Sequence, residues 1–240
     1  MRLTTRELGH LASDVDDLHR DAMRSFRDDM AEVHHGETAK LLGRSRRRFM
    51  QRADAGGALL AVGSALMPVT RWIPKAGAQE NDDPAIAAFA ESVELAAVAT
   101  YSAAAASGKL DPAVTAVGTM FAGHHQEHAG AFAGLSGGTA TGQPNQALLD
   151  DFAPMVAEAE DQAALLEIAF TLEVAAAATY LFALGALQDA AAAAATATIL
   201  PVESQHAVVL GQALGKDVGE YMPSFETTDE ALDPTDYPLS

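Results

Sequence analysis

The sequence predicts an all-α protein, a four-helix bundle built from a duplicated helix pair. The octapeptide at 94–101 (ELAAVATY) recurs at 173–180 as EVAAAATY, and a histidine follows the start of each copy, His128 after 34 residues and His206 after 33. The segments around both copies are rich in alanine and leucine, which favour helices, and their apolar residues recur at helical spacing. Two related helix pairs that fold together make a bundle of four helices.

The first helix pair is predicted from local start and stop signals. The first helix covers 84–107 and ends at Gly108. Asp111 followed by Pro112 is a typical helix start, because aspartate caps the first turn and proline fits the first helical position. The second helix then continues to about Leu135.

The second helix pair follows a connection rich in Gly, Thr and Pro at 136–145, which is long enough to cross the bundle. A short turn of helix at 146–152 is expected next. Pro154 is then expected to begin a long third helix that continues to about Leu187.

The fourth helix is predicted from Asp189 to just before Gly215. Pro201 lies inside it, and an internal proline removes one backbone hydrogen bond and clashes with the preceding turn. We therefore expect a kink or bulge just before Glu203.

Charge and composition divide the chain into four regions. Residues 1–78 contain 13 basic and 10 acidic residues, whereas residues 79–240 contain 2 and 23. Such a change is typical of the boundary between a processed segment and a mature domain. The predicted regions are an N-terminal extension at 1–43, a signal peptide at 44–78, the bundle at 79–218 and an acidic, proline-containing tail at 219–240.

The predicted signal peptide has three ordered parts. Residues 45–50 (SRRRFM) resemble a twin-arginine export motif, an uncharged run follows at 55–70, and 76–78 (AGA) provide an A-x-A type cleavage site. We expect export through the twin-arginine machinery to the periplasm, cell envelope or exterior, with no stable membrane span in the mature form. A cytosolic protein with a basic helix and an uncleaved membrane anchor are the alternatives.

The composition also excludes several kinds of chemistry. The chain has no cysteine, so disulfides, thiolate catalysis and cysteine-bound metal clusters are excluded. Beyond residue 78 the only cations are Lys109 and Lys216, too few to neutralise a nucleic-acid backbone. No nucleic-acid partner is expected.

Candidate metal ligands lie at corresponding places in the two helix pairs. Glu94 and Glu173 begin the repeated octapeptides, in apolar surroundings where an unpaired carboxylate would be costly to bury. His125 and His128 stand three residues apart, as do Glu203 and His206, and this spacing places both side chains on one helix face. A bound metal, or a protonated and hydrogen-bonded carboxyl, would offset the cost of burial.

These residues and spacings resemble the ferritin-like superfamily, specifically its exported ferritin-like-domain proteins, over residues 84–214. The resemblance implies a ferritin-like bundle in which Glu94, Glu173, Glu203 and His206 bind metal together with His128. His125 stands where the family usually has a bridging carboxylate. A symmetric dinuclear, an asymmetric and a mononuclear centre are all left open, with iron or manganese expected and zinc as an alternative.

Other polar residues near these positions receive simpler interpretations. Tyr101 and Tyr180 follow their glutamates by two helical turns, and we expect each ring to fill the core while its hydroxyl bonds a carboxylate on a neighbouring helix. A redox-active or proton-donating tyrosine is the alternative. His124 is either a ligand or a support for one, and Glu91 is expected at the surface or the bundle end.

The histidines of the N-terminal extension fall at no spacing that connects them with the bundle. We interpret all four as incidental to the site. They are His10, His19, His34 and His35.

The expected function is that of an exported metal-binding protein that acts on dioxygen or peroxide, a possible metal-dependent oxidoreductase. The alternatives are a metal store or scavenger, which would need an oligomer, and a structural, stress-related envelope protein without catalysis. In the last case the polar core would be satisfied by hydrogen bonds alone. One scaffold can host all of these functions, so the chemistry of the site is needed to distinguish between them.

Overall fold

A computed structural model of the chain describes residues 6–7, 9–10, 13–17, 19–20, 23–24 and 82–239. The predicted signal peptide lies outside these residues, as do His34 and His35. The described residues contain helices and no strand, which confirms the all-α class. From residue 82 onwards the helices are α1 (Asp83–Ala106), α2 (Pro112–Leu135), α3 (Gln146–Glu158), α4 (Gln162–Ala186), α5 (Ala190–Leu214) and the short α6 (Val218–Tyr221).

Four long helices form the bundle as two hairpins. Helix α1 packs most extensively against α2, and α4 packs most extensively against α5, while α1 also contacts α4 and α2 contacts α5. The main apolar core draws side chains from α1 to α5, among them Phe121, Leu148, Leu165 and Val209. This arrangement confirms a bundle built from two helix pairs.

Side-chain caps fix where the helices of the second pair begin. Asp161 accepts a hydrogen bond from the backbone N–H of Ala164 at 2.9 Å, and Asp189 accepts from those of Ala191 and Ala192 at 2.9 Å each. These bonds satisfy backbone donors that the first helical turn leaves free. At the other end of α5, Gly215 closes the helix with a φ of 74°, a left-handed conformation that favours glycine.

The prediction for the start of the third long helix was wrong. Pro154 does not begin it, but lies inside α3, and α4 begins at Gln162 behind the Asp161 cap. Asn145 starts α3 earlier by accepting from the N–H of Leu148 at 3.1 Å. Pro154 is tolerated because it is exposed, so water can bond the carbonyl that the proline leaves free.

Of the kink or bulge that was predicted just before Glu203, the structure has no bulge. Helix α5 continues without interruption through Pro201. Both Pro201 and Ala197, whose carbonyl loses its usual partner, are exposed. Solvent therefore replaces the missing hydrogen bond, and the helix needs no bulge.

The C-terminal tail lies against the bundle. The N–H of Leu232 donates to the hydroxyl of Thr179 at 2.9 Å, and the side-chain amide of Asn145 donates to the carbonyl of Tyr237 at 2.9 Å. Leu232 and Tyr237 also pack against the main core. The tail thus covers the outer surface of the helices rather than standing apart from them.

Within the part of the chain that the structure describes, one helix, Gln162–Ala186, is long and apolar enough to cross a membrane by length and composition. Most of its apolar stretch is buried inside the bundle, at 61%. The apolar composition of α4 is therefore explained by its place in the core of the bundle.

The described residues between 13 and 24, here called the N-terminal segment, are helical and contact the bundle. Val15, His19 and Met23 are buried, and Val15 belongs to the main core. Their spacing of four residues places them on one helix face. The N-terminal segment is therefore an additional packed element beside the bundle.

Candidate metal centre

The structure brings all six sequence-predicted ligands together in the middle of the bundle. They come from four different helices and are almost completely buried, with the most accessible at 2% exposure. They are Glu94 of α1, His125 and His128 of α2, Glu173 of α4, and Glu203 and His206 of α5.

The donor atoms form two overlapping groups of four, each compact enough to hold one metal ion. Within each group, one ligand atom from every residue lies within 4.8 Å of the others. Glu203 and His125 belong to both groups. The first group is completed by Glu94 and His128, and the second by Glu173 and His206.

Glu203 faces both groups, one carboxylate oxygen to each. Its Oε1 lies 2.8 Å from Nδ1 of His128, and its Oε2 lies 3.2 Å from Nδ1 of His206. A carboxylate with one oxygen toward each position is able to bridge two ions. Helix α5 thus places a carboxylate between the two donor groups, whereas helix α2 has His125 there and no carboxylate.

His125 also faces both groups through its two ring nitrogens. Nδ1 lies 2.6 Å from Oε2 of Glu94, and Nε2 lies 3.1 Å from Oε1 of Glu173. A neutral imidazole has one free nitrogen, so His125 can bind an ion in one group only, whereas its protonated form can donate a hydrogen bond to each glutamate. The residue that departs from the family pattern therefore occupies the centre of the cluster.

Some donor atoms of the cluster are buried without an aligned hydrogen bond. Both carboxylate oxygens of Glu203 and both ring nitrogens of His128 are buried without a hydrogen-bond partner. They lie close to other donors but are not aligned for hydrogen bonding. Leaving charged or polar atoms in this state is costly, and a bound cation would remove the cost.

Opposite charges in the cluster shift the pKa values of its members. Burial alone would lower the pKa of His128, but the carboxylates of Glu203 and Glu94 outweigh burial and raise it to about 9. Burial would raise the pKa of Glu94, but His128 and His125 outweigh it and lower the value to about 2. Without metal, protons on the histidines therefore balance the carboxylates.

The second group behaves in the same way. Burial disfavours the charged form of His125 and His206, yet Glu173 above all raises the pKa of each, and of His125 strongly. The pKa of Glu173 is held well below its ordinary value by His125 and His206, against the effect of burial. A metal ion at this position would replace protons, because only neutral imidazoles bind metal.

Two tyrosines connect the glutamates across the bundle. The hydroxyl of Tyr101 on α1 donates to Oε1 of Glu173 on α4, and the hydroxyl of Tyr180 on α4 donates to Oε1 of Glu94 on α1. Burial first, and the nearby carboxylates second, raise both tyrosine pKa values well above the ordinary range. Both hydroxyls therefore remain donors, as expected from the sequence.

His124 supports a ligand from outside the two groups. Its Nδ1 lies 2.9 Å from Nε2 of His206, whose Nδ1 faces Glu173 at 3.2 Å. A hydrogen bond to the far nitrogen of a metal-binding histidine fixes the orientation of its ring. Phe121 adds to this by stacking on His206, with the ring centroids 3.9 Å apart.

The interpretation of His19 as incidental was wrong. Its ring stacks on His124 with centroids 3.9 Å apart and meets His128 edge-on at 5.0 Å. Asp16, one helical turn earlier, lies 3.2 Å from Nε2 of His124. The sequence signal for the pair is the three-residue spacing of Asp16 and His19, which Glu203 and His206 share, but this spacing does not place the pair against the bundle.

Two other predictions about single residues have different outcomes. His10 is exposed, in agreement with an incidental residue. Glu91, expected at the surface or the bundle end, is instead buried at 4% exposure and accepts from the backbone N–H of Gly142 at 3.2 Å. It ties α1 to the connection between the two hairpins.

A small apolar cavity of about 30 Å³ lies beside the donor cluster. Tyr101 and Phe121 form part of its wall, and aliphatic side chains of α2, α4 and α5 form much of the rest. The hydroxyl of Tyr101 donates a hydrogen bond to Glu173, and the ring of Phe121 stacks on that of His206. The cavity therefore ends one residue away from the second group.

Comparison with known proteins gives one match. The sequence profile of a family described as ferritin-like domain matches residues 82–216. The match covers all four long helices and all six predicted ligands. No curated protein and no solved structure was found to match.

Proposed function

Because this chain belongs to the ferritin-like domain family, we propose that its bundle holds a dinuclear iron or manganese centre that reacts with dioxygen or peroxide. The observation that carries the proposal is the pair of overlapping donor groups that share Glu203 and His125. Each group offers two carboxylates and two imidazoles. Two sets joined by a carboxylate with one oxygen on each side suit two neighbouring ions better than one.

Iron and manganese are redox-active metals that the donor set fits. Mixed carboxylate and imidazole ligands suit iron, manganese and zinc, and the lack of thiolates removes the ligands that favour copper(I) or structural zinc sites. A redox metal bound there supplies electron exchange and an open coordination position. Zinc would fit the donors but would leave the centre without redox chemistry.

The chain's own residues would orient the ligands and limit access. Tyr101 and Tyr180 each hold one oxygen of a glutamate, which leaves the other oxygen to turn toward a metal. Complete burial of the six ligands keeps bulk water away. The apolar cavity of about 30 Å³ is large enough for a molecule of the size of dioxygen.

Hydrogen bonds alone account for the site less well. They explain His125, which hydrogen-bonds Glu94 and Glu173, but Glu203 and His128 have only close ion-pair contacts without an aligned hydrogen bond. A bundle that had lost its chemistry would be expected to replace such residues by apolar ones, since a half-satisfied polar core is less stable than a packed apolar one. This favours metal binding over a purely structural role.

A quantitative metal titration of the full chain tests the proposal. We expect metal-free wild type to bind two equivalents of Mn²⁺ or Fe²⁺, measured by elemental mass spectrometry after gel filtration. Glu203→Gln, which keeps the shape but removes the bridging charge, should lose at least one equivalent. Glu160→Gln, an exposed carboxylate at a helix connection, is the matched control and should bind as wild type does.

The possible results separate the alternatives. Two equivalents in Glu203→Gln would overturn the assignment of the site. Two equivalents of metal in wild type without consumption of oxygen or peroxide would favour storage over catalysis. Binding of zinc alone, in competition with iron and manganese, would exclude the redox role.

The proposed location outside the cytoplasm is supported only by the predicted signal peptide at 44–78. The twin-arginine motif at 45–50 and the cleavage site at 76–78 support export. N-terminal sequencing of protein recovered outside the cytoplasm should begin at Gln79. An N-terminus within 1–43 on all recovered protein would contradict the proposal.

A further inference from the structure

The N-terminal segment presents one face to the bundle and the other to solvent. Val15, His19 and Met23 are buried, whereas Asp14 and Asp17 are exposed. This is the pattern of an amphipathic helix that packs along one side. The segment is thus bound through a defined surface, although it precedes the predicted cleavage site.

The surface that it covers is the His124 side of the donor cluster. The ring of His19 lies on those of His124 and His128, and is itself only 2% exposed. Both nitrogens of His19 are buried without a hydrogen bond. Burying an imidazole in this way is costly, so stacking and the apolar contacts of Val15 and Met23 must hold the segment in place.

The segment also reaches the cluster through a chain of polar contacts. Asp16 lies 3.2 Å from Nε2 of His124, and Nδ1 of His124 lies 2.9 Å from Nε2 of His206. A carboxylate behind one histidine fixes the tautomer of that ring and, through it, the ring of the next. His206 is therefore oriented by a residue of the N-terminal segment.

We propose that the N-terminal segment is a cap on the buried donor cluster, which closes its His124 side and orients His206 until the leader is removed. The cap covers the cluster whatever it binds; its effect on metal entry rests on the proposed function. The cap and the predicted signal peptide lie on the same side of the cleavage site at 76–78. One cut at that site would separate the cap from the bundle that it covers.

Chemical modification of histidines in the metal-free full chain tests the cap without relying on metal. Val15→Asp places a charge in the contact surface and should displace the segment. Ser13→Asp adds the same charge at an exposed position two residues away and is the matched control. Diethyl pyrocarbonate reacts with accessible imidazoles, and peptide mass spectrometry gives the rate at His124 relative to exposed His10.

In wild type and Ser13→Asp, we expect His124 to react at least about tenfold more slowly than His10, as a site that must open locally to react. In Val15→Asp, the two rates should become similar. Equal protection of His124 in Val15→Asp and Ser13→Asp would overturn the cap. Rapid reaction of His124 in wild type would overturn it too.

The rate of Mn²⁺ uptake by the same proteins tests the effect on access. Faster uptake by Val15→Asp than by Ser13→Asp supports the cap, and equal rates overturn its role in access. If His124 becomes reactive in Val15→Asp but no variant binds Mn²⁺, the cap stands and the proposed metal site fails.

A second variant controls for misfolding of Val15→Asp. His19→Ala removes the ring above His124 without placing a charge in the core, and should also increase the reactivity of His124. Far-UV circular dichroism establishes that each variant keeps its helices. Protection of His124 in a folded His19→Ala protein would contradict the cap independently of Val15→Asp.

Discussion

The hydroxyls of Tyr101 and Tyr180 have a structural role that the repeat itself predicted. Each tyrosine stands seven residues after a glutamate of its own helix but bonds the glutamate of the other hairpin. Hydrogen bonds to a buried carboxylate are stronger than those between neutral groups. The two tyrosines therefore hold the hairpins together at the depth of the donor cluster.

Removal of one such hydroxyl should destabilise the metal-free protein measurably. We expect Tyr101→Phe to lower the free energy of unfolding by about 1.5 to 3 kcal/mol, the usual contribution of a hydrogen bond to a charged group. Urea denaturation followed by circular dichroism gives the value. Tyr237→Phe, which removes an exposed bond of 3.1 Å to Asp151, is the control and should cost much less. Similar losses in the two variants would contradict the role of Tyr101.

Some residue positions in the donor cluster could be predicted from the sequence, and others could not. The six candidate ligands were predictable because the duplicated segments and the three-residue spacings repeat. The position of Glu203 between the two donor groups was not, because it depends on how α5 is rotated relative to α2. Asp16 and His19 contact residues more than 100 positions away, and no periodicity links segments of that separation.

Among the helices, the contact between α5 and the short α6 depends on the absence of a side chain. A Cβ atom at Gly211 would lie 2.5 Å from Cβ of Tyr221, which is too close for any real contact. Glycine is otherwise unfavourable inside a helix by about 1 kcal/mol relative to alanine. The close approach of Tyr221 is therefore the reason for glycine at this position.

Two glycine substitutions should consequently have opposite effects. Gly211→Ala should lower the melting temperature, because Tyr221 and α6 must move away from α5. Gly130→Ala on α2, where an added Cβ meets nothing within 4 Å, should leave the melting temperature unchanged or raise it. Circular dichroism melting compares the two. A rise for Gly211→Ala would show that α6 is not held by this contact.

Some helix boundaries were predictable from the residues that stand at them. Asp111, Asp189 and Gly215 begin or end helices where the sequence places them. The error at Pro154 arose because proline fits both the first turn and an exposed internal position. The cap at Asp161, which decides between these possibilities, is itself an ordinary residue in an acidic stretch.

For the molecule as a whole, the charges of the donor cluster should make the stability of the metal-free protein depend on pH. The pKa of His128 rises from 6.5 to about 9 on folding, so its contribution is complete below pH 6.5 and is lost as the pH rises through 9. The pKa of Glu94 falls from 4.5 to about 2, so its contribution is complete above pH 4.5 and is lost as the pH falls through 2. Both contributions are complete between pH 4.5 and 6.5.

We therefore expect the melting temperature of metal-free protein to fall between pH 6.5 and 9, by about 2 to 4 °C for each kcal/mol lost. His128→Gln removes the titrating group and should show a smaller fall over the same range. Calorimetry with a chelator present measures both proteins. An identical pH dependence of the two would mean that His128 is not charged in the folded state.

The tyrosine of α1 hydrogen-bonds the glutamate of α4, and the tyrosine of α4 hydrogen-bonds the glutamate of α1. Neither hairpin can therefore complete the donor cluster alone. In each hairpin the most extensive contacts are those between its own two helices. Glu94 and Glu173 find their tyrosine partners only when the two hairpins dock. Assembly of the donors and closure of the bundle are consequently one event, and the site exists only in the complete fold.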